Sequence, residues 1–253
     1  MRQHSAFENI YADQTRWAFH DTKDPLIRFV RDRRIQMGVE HVMRIGRSSP
    51  ADWDALVVCG GVGGEGTLLA NLGFRSVTVS DYSENALTFC RQRDPRLQTR
   101  ILNAEKMDLP DGAYDLVLVQ DGLHHLPRPV QGFIEMLRVA RRGVIVNEPH
   151  WGLVAKILGT TWEDHEGEIN YVFRWNQMLL EQATRSYLLK QPCHVKALRL
   201  WDHPSAIHRL ASRVPSGPPQ LALARFCYWV LNGMFRQLGN AMVGVIVKDP
   251  PSQ

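Results

Sequence analysis

The 253-residue chain lacks most features that mark secreted, metal-binding or membrane-spanning proteins. Its four cysteines show no Cys-x-x-Cys spacing, which disfavours a zinc site and a disulfide framework. No basic-apolar leader opens the sequence, and no apolar run reaches the roughly 18 residues that a membrane-spanning helix needs. We therefore expect no transmembrane segment and a reducing, cytoplasmic setting.

Lysine is scarce: the net charge of +4 comes from 24 arginines and only 6 lysines. Six arginines lie close together, at Arg28, Arg31, Arg33, Arg34, Arg44 and Arg47. They suit either a patch for nucleic acid or another anion, or the solvated face of a helix whose apolar residues face the core. Aromatic residues are not interleaved with them, as a single-strand-binding groove would prefer. We favour the solvated face and do not expect nucleic acid as a partner.

The longest nearly apolar stretch, Leu221 to Phe235, is interrupted by Arg225 and Asn232. It predicts a buried or partner-facing helix.

Glycine, by contrast, is concentrated after an apolar run, Leu56-Val57-Val58. The loop that follows contains Cys59, Gly60, Gly61, Gly63, Gly64 and Gly66. Strand, glycine turn and helix in this order hold nucleotide-bearing cofactors in α/β proteins. Gly61, Gly63 and Gly66, with Asp81 about 20 residues on, match the dinucleotide motif G-x-G-x-x-G. The same loop also suits S-adenosylmethionine (SAM), for which Cys59, Gly61 and Gly63 would be the turn positions.

Short apolar runs alternate with helix-like segments through the first two thirds of the chain. The predicted strands are 55–59, 76–80, 99–102, 115–120 and 143–147, followed after a break by 195–201 and 241–248. This alternation predicts an α/β fold with a doubly wound, mostly parallel sheet. A helix over residues 25–47, preceded by the capping Asp24, precedes the first strand.

Polar residues follow several of these strands, where ligands bind in such sheets. Asp81 can accept hydrogen bonds from ribose hydroxyls, which suits NAD and SAM equally. Asn103-Ala104-Glu105 follows the third strand, where an amide and a backbone N–H can meet an adenine edge, and this favours SAM.

The order of these motifs resembles the class I SAM-dependent methyltransferases, and more closely their type 11 branch, which includes quinone- and natural-product-modifying enzymes. The resemblance covers about residues 52–150. It rests on the glycine loop, Asp81, Asn103-Ala104-Glu105 with Leu109-Pro110, Tyr114-Asp115-Leu116-Val117, Leu123-His124-His125-Leu126 and Glu135-Met136-Leu137-Arg138-Val139.

The resemblance implies a seven-stranded Rossmann-like sheet, SAM as cofactor and S-adenosylhomocysteine as product. Its cofactor residues would be Cys59, Gly60, Gly61, Gly63, Asp81, Tyr82, Asn103, Ala104, Glu105 and Gln120. Residues 1–50 would form an N-terminal helical lid, 51–150 the cofactor-binding core, 151–190 a helical insertion that caps the acceptor, and 191–253 the rest of the same sheet.

Three positions depart from the family pattern: Val57 and Cys59 replace the usual acid and glycine, and Asn103 replaces an aspartate. A dinucleotide oxidoreductase fits less well, because no Tyr-x-x-x-Lys pair follows the fourth strand.

Methyl transfer needs mainly positioning and exclusion of water, with a base where a hydroxyl must lose its proton. His124, His125 and His150 are the predicted catalytic residues, and His165 is more typical of a solvated acidic loop. Asp121 with Asn147 or Glu148 lacks a third ligand for Mg²⁺, so we expect no metal.

Aromatic residues of the insertion, Trp162, Tyr171, Phe173 and Trp175, suit a small planar, apolar or sugar-like acceptor. The fourth strand does not end in the Asn/Asp-Pro-Pro-aromatic motif of nucleic-acid base methylation. The predicted function is therefore methyl transfer to a small molecule. An RNA methyltransferase acting through the arginine-rich helix, an NAD(P)-dependent oxidoreductase and a catalytically silent SAM-binding protein remain alternatives, and the oligomeric state is unspecified.

Overall fold

The computed structural model describes residues 8–12, 25–158, 163–165, 168–170, 173–201, 213–215 and 217–249. A seven-stranded sheet runs through this part of the chain in the order β3-β2-β1-β4-β5-β9-β8. Its strands are β1 (Asp54–Val58), β2 (Ser76–Asp81), β3 (Gln98–Ile101), β4 (Tyr114–Gln120), β5 (Ala140–Pro149), β8 (Cys193–Leu200) and β9 (Ala241–Lys248). A separate hairpin pairs β6 (Glu163–His165) with β7 (Glu168–Asn170).

Strands β1 to β5 are parallel, whereas β9 runs antiparallel between β5 and β8. The strand predicted at residues 241–248 is thus present with the predicted bounds, and the mostly parallel seven-stranded fold is confirmed. Among the described residues, no helix combines the length and apolar character needed to cross a membrane.

Helices cover both faces of the sheet. They are α1 (Pro25–Gly46), α2 (Gly64–Asn71), α3 (Glu84–Arg93), α4 (Pro129–Val139), α5 (Leu153–Leu158), α6 (Gln177–Leu188) and α7 (Pro218–Met234). Ser83 and Asn176 cap α3 and α6 by accepting hydrogen bonds from the backbone N–H groups of Ala86 and Leu179.

The apolar residues of the central strands point alternately into two cores, as a sheet covered on both faces requires. Val57 and Leu118 pack with α1 and α2 on one face, and Val58 and Val119 pack with α4 on the other. These strands are almost fully buried, which explains why they read as continuous apolar runs in the sequence.

The stretch after residue 150 is less helical than the sequence predicts. It contains α5 and α6 but also the β6–β7 hairpin, whose short strands carry no apolar alternation that would have revealed them. The side chains of Trp162, His165 and Tyr171, and the helix predicted after Pro204, lie outside the described residues. The four segment boundaries proposed from the sequence stay a prediction.

Candidate active site

The site lies where β1 and β4 end side by side at the centre of the sheet. The helices that follow them, α2 and α4, pack on opposite faces, so the strand order reverses at this point. A crevice opens at such a reversal in doubly wound sheets. Each strand is followed by a non-glycine residue in the left-handed region, Cys59 with φ 53° and Asp121 with φ 52°. Backbone strain of this kind concentrates at functional sites.

Cys59 occupies the turn position that glycine holds in related sequences. Its side chain packs tightly against Gly122, where an added Cβ would lie 2.6 Å from the Cβ of Cys59. Burial raises the pKa of the Cys59 thiol well above its ordinary value, so the thiol is not poised as a nucleophile. Cys59 therefore shapes the loop through packing.

The glycines of the loop serve two purposes. Gly60 is buried and donates its N–H to the carbonyl of Ser80 at 2.9 Å. Gly63 has φ 84°, and a Cβ there would lie 2.4 Å from Cys90 Sγ, so this glycine is required for packing. Gly61, with φ 48°, faces the ligand side of the loop, where the hydroxyl of Tyr11 would lie 2.7 Å from an added Cβ.

Tyr11 belongs to a helical stretch, residues 8–12, that covers the glycine loop. Its ring is buried against Val62 and Ala86. Glu8 fixes the stretch to α3, since one of its carboxylate oxygens accepts the N–H of Glu84 at 2.7 Å. No pattern in the sequence identified Tyr11, because five helical residues give no usable periodicity.

Asp81 ends β2 and faces the glycine loop. Its two carboxylate oxygens accept the N–H groups of Gly61 and Ser83, both at 2.9 Å. Desolvation raises the pKa of Asp81, while these N–H groups work in the opposite direction. The neighbouring Tyr82 is 52% exposed. The carboxylate is thus fixed in place beside an accessible aromatic ring.

Asn103-Ala104-Glu105 follows β3 as a tight turn. The side-chain oxygen of Asn103 accepts the N–H of Glu105 at 2.9 Å, and Asn103 itself is exposed whereas Ala104 is buried. The Glu105 carboxylate accepts hydrogen bonds from the backbone and guanidinium of Arg128. This engagement leaves the Asn103 amide nitrogen and the backbone of the turn as the groups able to meet a ligand.

A small cavity lies beside the N-terminus of α2. It is lined by Arg28, Arg31, Asp32, Ile35, Gly64, Glu65 and Gln120. One Glu65 oxygen accepts both the Arg31 guanidinium at 3.0 Å and the Gln120 amide at 3.3 Å. The cavity therefore presents both carboxylates and guanidinium groups at the end of β4.

Arg34 connects α1 to this centre. It is buried and forms a two-point ion pair with Asp121, with one N–O distance of 3.0 Å. Desolvation favours a higher pKa for Asp121, but the Arg34 guanidinium outweighs it and lowers the pKa. The ion pair holds Asp121 in its strained backbone conformation.

Glu148, at the end of β5, organises the turn Leu123–His125 that follows β4. It is fully buried, and one carboxylate oxygen accepts the N–H groups of Gly122 and Leu123 at 2.9 and 2.7 Å. The other oxygen lies 2.7 Å from Nδ1 of His124. The sequence suggests Glu148 only as a metal ligand. It does not reveal this role, because the residues that Glu148 contacts lie in the loop after another strand, β4.

His124 is protonated more readily than an ordinary histidine. Burial works to lower its pKa, but the Glu148 carboxylate outweighs burial and raises it. When folding raises the pKa of a histidine, the protonated side chain stabilises the folded protein. This stabilisation is fully present at pH values below the pKa of the unfolded chain, about 6.5, and is lost as the pH rises through the pKa of the folded protein. An imidazolium held by a carboxylate is a poor proton acceptor.

The pH dependence of stability tests this pair. We expect the difference in unfolding free energy between the wild type and His124→Asn to be largest near pH 6 and to shrink towards pH 9. Urea denaturation of both proteins across this range would measure it. A difference that stays constant with pH would show that folding does not shift the pKa of His124.

The other two histidines differ from His124. His125 stacks on His124 with ring centroids 4.2 Å apart. His150 is buried, its Nδ1 lies 3.0 Å from the carbonyl of Trp175, and its Nε2 has no partner among the described residues. Burial lowers the pKa of His150, and the Trp175 carbonyl opposes this only in part. Burial therefore favours the neutral form of His150, and its Nε2 is itself buried.

Aromatic rings surround the end of β5. Trp175 is fully buried and meets Phe133 and Phe173 edge-on, with centroids 5.2 and 5.1 Å apart. Its backbone pairs with that of His150, so this part of the insertion packs against the end of β5. Among the described residues, no three histidine, cysteine, aspartate or glutamate side chains are grouped as a metal site requires.

Comparison with known proteins decides the family. Residues 56–146, which contain the glycine loop, Asp81 and the His124 turn, match the model of a family described as a methyltransferase domain, of type 11. The core of the chain is a methyltransferase domain. The predictions of a class I SAM-dependent methyltransferase, and of SAM as its cofactor, are confirmed by this match. No curated protein matches the chain.

Solved structures share the fold of this methyltransferase over nearly its whole length. A Haloferax volcanii methyltransferase, solved in complex with the Trm112 methyltransferase activator, is 14% identical with a TM-score of 0.60, covering 96% of this chain and 99% of its own. A Thermotoga maritima SAM-dependent methyltransferase is 13% identical with a TM-score of 0.57, covering 99% and 100%. Haemonchus contortus phosphoethanolamine N-methyltransferase 2 is 14% identical with a TM-score of 0.57, covering 97% of this chain and 61% of its own. At these identities the likeness concerns the fold.

Proposed function

We propose that the methyltransferase transfers the methyl group of SAM to a small, planar or apolar acceptor, mainly by positioning the two reactants. The observation that carries this proposal is the set of polar groups at the carboxyl ends of the central strands, namely the fixed Asp81 carboxylate, the exposed Tyr82 ring and the cavity beside Glu65. These groups suit the cofactor, and the partly buried Phe173 beside the end of β5 suits a planar or apolar acceptor.

The polar groups fit SAM in their chemistry. The fixed carboxylate of Asp81 can accept two ribose hydroxyls, while Tyr82 and the Asn103 turn can meet the adenine. The cavity beside Glu65, Gln120 and Arg31 offers acceptors to an ammonium group and donors to a carboxylate, as an amino-acid end requires. SAM would supply a methyl group activated on a sulfonium.

On the acceptor side, the protein's own groups would orient the nucleophile and exclude water. Phe173 provides a partly buried apolar ring that packs on the buried Trp175. If the acceptor is a hydroxyl, His150 is the candidate base, because burial lowers its pKa and its buried Nε2 has no partner among the described residues. His124 instead acts as a positioning residue through Glu148.

RNA is a weaker proposal for the acceptor. Four arginines of the basic cluster already pair with acids of the same chain: Arg28 with Asp32, Arg31 with Glu65, Arg33 with Glu40 and Arg34 with Asp121. Paired guanidinium groups release fewer counterions on binding phosphate, so the electrostatic gain falls. Salt-dependent retention of RNA by the protein would revive this alternative.

Calorimetry with SAM and S-adenosylhomocysteine tests the proposal first. We expect both to bind in the micromolar range, and the absence of binding at millimolar concentration would contradict a working methyltransferase. A screen of phenols, quinols and amines with labelled SAM then tests the acceptor class. For hydroxyl acceptors, the rate of methyl transfer by His150→Ala is compared with that of the wild type across a range of pH. Transfer only to RNA or protein would contradict a small acceptor.

A further inference from the structure

The outer face of α7 combines exposure with an apolar composition. Arg225 is the one charged residue between Pro218 and Met234. A helix that is apolar all round is normally buried. Here, however, Phe226 and Trp229 are 60% and 71% exposed. Burial within the protein therefore does not explain the apolar composition of this face.

The inner face of α7 is already used. Ala224 and Tyr228, four residues apart, are buried, and the Tyr228 ring meets Phe29 of α1 edge-on at 5.4 Å. The Arg225 guanidinium lies 5.5 Å from the centroid of the same Phe29 ring. The helix is thus firmly docked on α1, and Phe226 and Trp229 face away from the protein because they lie on the opposite side of the helix.

The exposed apolar surface continues beyond the helix. Met234, Phe235 and Leu238 are 73%, 45% and 37% exposed. The chain then reaches Gly239. The carbonyl oxygen of Gly239 lies 3.3 Å from the point where a Cβ added to Gly152 would be, and Gly152 directly precedes α5. In α5, Leu153 and Ile157 are 55% and 73% exposed. We call these exposed residues of α5, α7 and the turn after α7 the apolar rim.

The apolar rim reaches the edge of the sheet that bears the site. Gly239 and Asn240 lead into β9, and Ala241 pairs with Pro149 at the carboxyl end of β5. The Asn240 carbonyl accepts the N–H of His150 at 2.8 Å. The rim therefore lies at the same end of the molecule as His150 and the carboxyl end of β5.

The charge along α7 and the turn after it has one sign. No aspartate or glutamate lies between Asp202 and Asp249, whereas Arg213, Arg225 and Arg236 fall in this interval. Exposed Trp and Phe with arginine and no acid are the composition of a segment that lies in a membrane interface. Contact with a protein partner or with a second copy of this chain would not require that aspartate and glutamate be absent from this segment.

From this we infer that the apolar rim seats the protein on an anionic lipid surface, with α7 lying in the interface. The rings of Phe226 and Trp229 enter the headgroup region, and arginines such as Arg236 meet lipid phosphates. This places the open end of the site next to the membrane. The inference concerns where the protein sits, and it stands or falls separately from the proposed methyl transfer.

Vesicle sedimentation of the full chain tests the inference. We expect the protein to sediment with phosphatidylcholine vesicles that contain phosphatidylglycerol, and to do so less with pure phosphatidylcholine or at high salt. Phe226→Ser combined with Trp229→Ser should weaken partition to the anionic vesicles by about tenfold or more. Arg236→Glu should weaken it on anionic vesicles only.

A matched control is available at the other edge of the sheet, where Ile101 of β3 is 52% exposed. Ile101→Ser should leave partition unchanged, and circular dichroism with S-adenosylhomocysteine binding should show that every variant is folded. The inference would be overturned if the wild type and the Phe226/Trp229 variant sedimented equally with the anionic vesicles. A wild-type dimer that the Phe226/Trp229 change dissociates would also overturn it, because the rim would then be a contact between copies.

Discussion

Replacing Glu148 with alanine is expected to destabilise the methyltransferase by about 3–5 kcal/mol, the range found when one partner of a buried ion pair is removed. The change leaves the His124 imidazole buried without its carboxylate, and it also frees the N–H groups of Gly122 and Leu123. Chemical denaturation at neutral pH would measure the loss. We expect SAM binding to weaken as well, because the turn borders the crevice.

Glu148→Gln provides the matched control. The amide oxygen can still accept the two backbone N–H groups, but the charge that holds the His124 imidazolium is gone. We expect a smaller loss of stability than for alanine and a lower pKa for His124, which an NMR titration of the imidazole would show. If the unfolding free energies of both variants lie within about 1 kcal/mol of the wild-type value, Glu148 does not organise the turn.

The second large effect is expected at the cofactor. Asp81→Ala should weaken S-adenosylhomocysteine binding by about a hundredfold or more, since hydrogen bonds to a charged acceptor contribute about 1.5–3 kcal/mol each and two ribose hydroxyls would be lost. The variant also loses the two bonds that fix Gly61 and Ser83. Calorimetry would measure the affinity, at a temperature where circular dichroism shows both proteins folded.

Asp108→Ala serves as the control for Asp81, because Asp108 is an exposed carboxylate on a loop after β3. We expect its affinity for S-adenosylhomocysteine to match that of the wild type. An Asp81→Ala protein that binds within about threefold of the wild type would show that the ribose does not reach this carboxylate.

The core could be predicted because the signals there are local. The runs that became β1, β2 and β4 are apolar enough to require a sheet covered on both faces, and their observed ends lie within one residue of the predicted ends. The glycine turn and Asp81 follow directly from the strands that present them. The strands that carry the predicted cofactor residues are therefore present where the sequence predicts them, and the role of those residues stays a prediction.

The segment after residue 150 was harder to predict. The β6–β7 hairpin lacks an apolar alternation, and Trp175 joins the site only through its backbone pairing with His150. The arginine-rich helix was interpreted as a solvated face, yet Arg34 is buried against Asp121, 87 residues away in sequence. No spacing rule reveals a pair of that separation.

What the sequence determined by itself is the fold and the family, because strand hydrophobicity, turn glycines and the order of short motifs are written within stretches of a few residues. What only the tertiary structure decided is the chemical state of the side chains around the crevice. Three histidines that look equivalent in the sequence become a partner of Glu148 with a raised pKa, a tilted neighbouring ring and a buried imidazole with a lowered pKa. Their protonation depends on burial and on carboxylates brought from other strands, and only the folded chain supplies both.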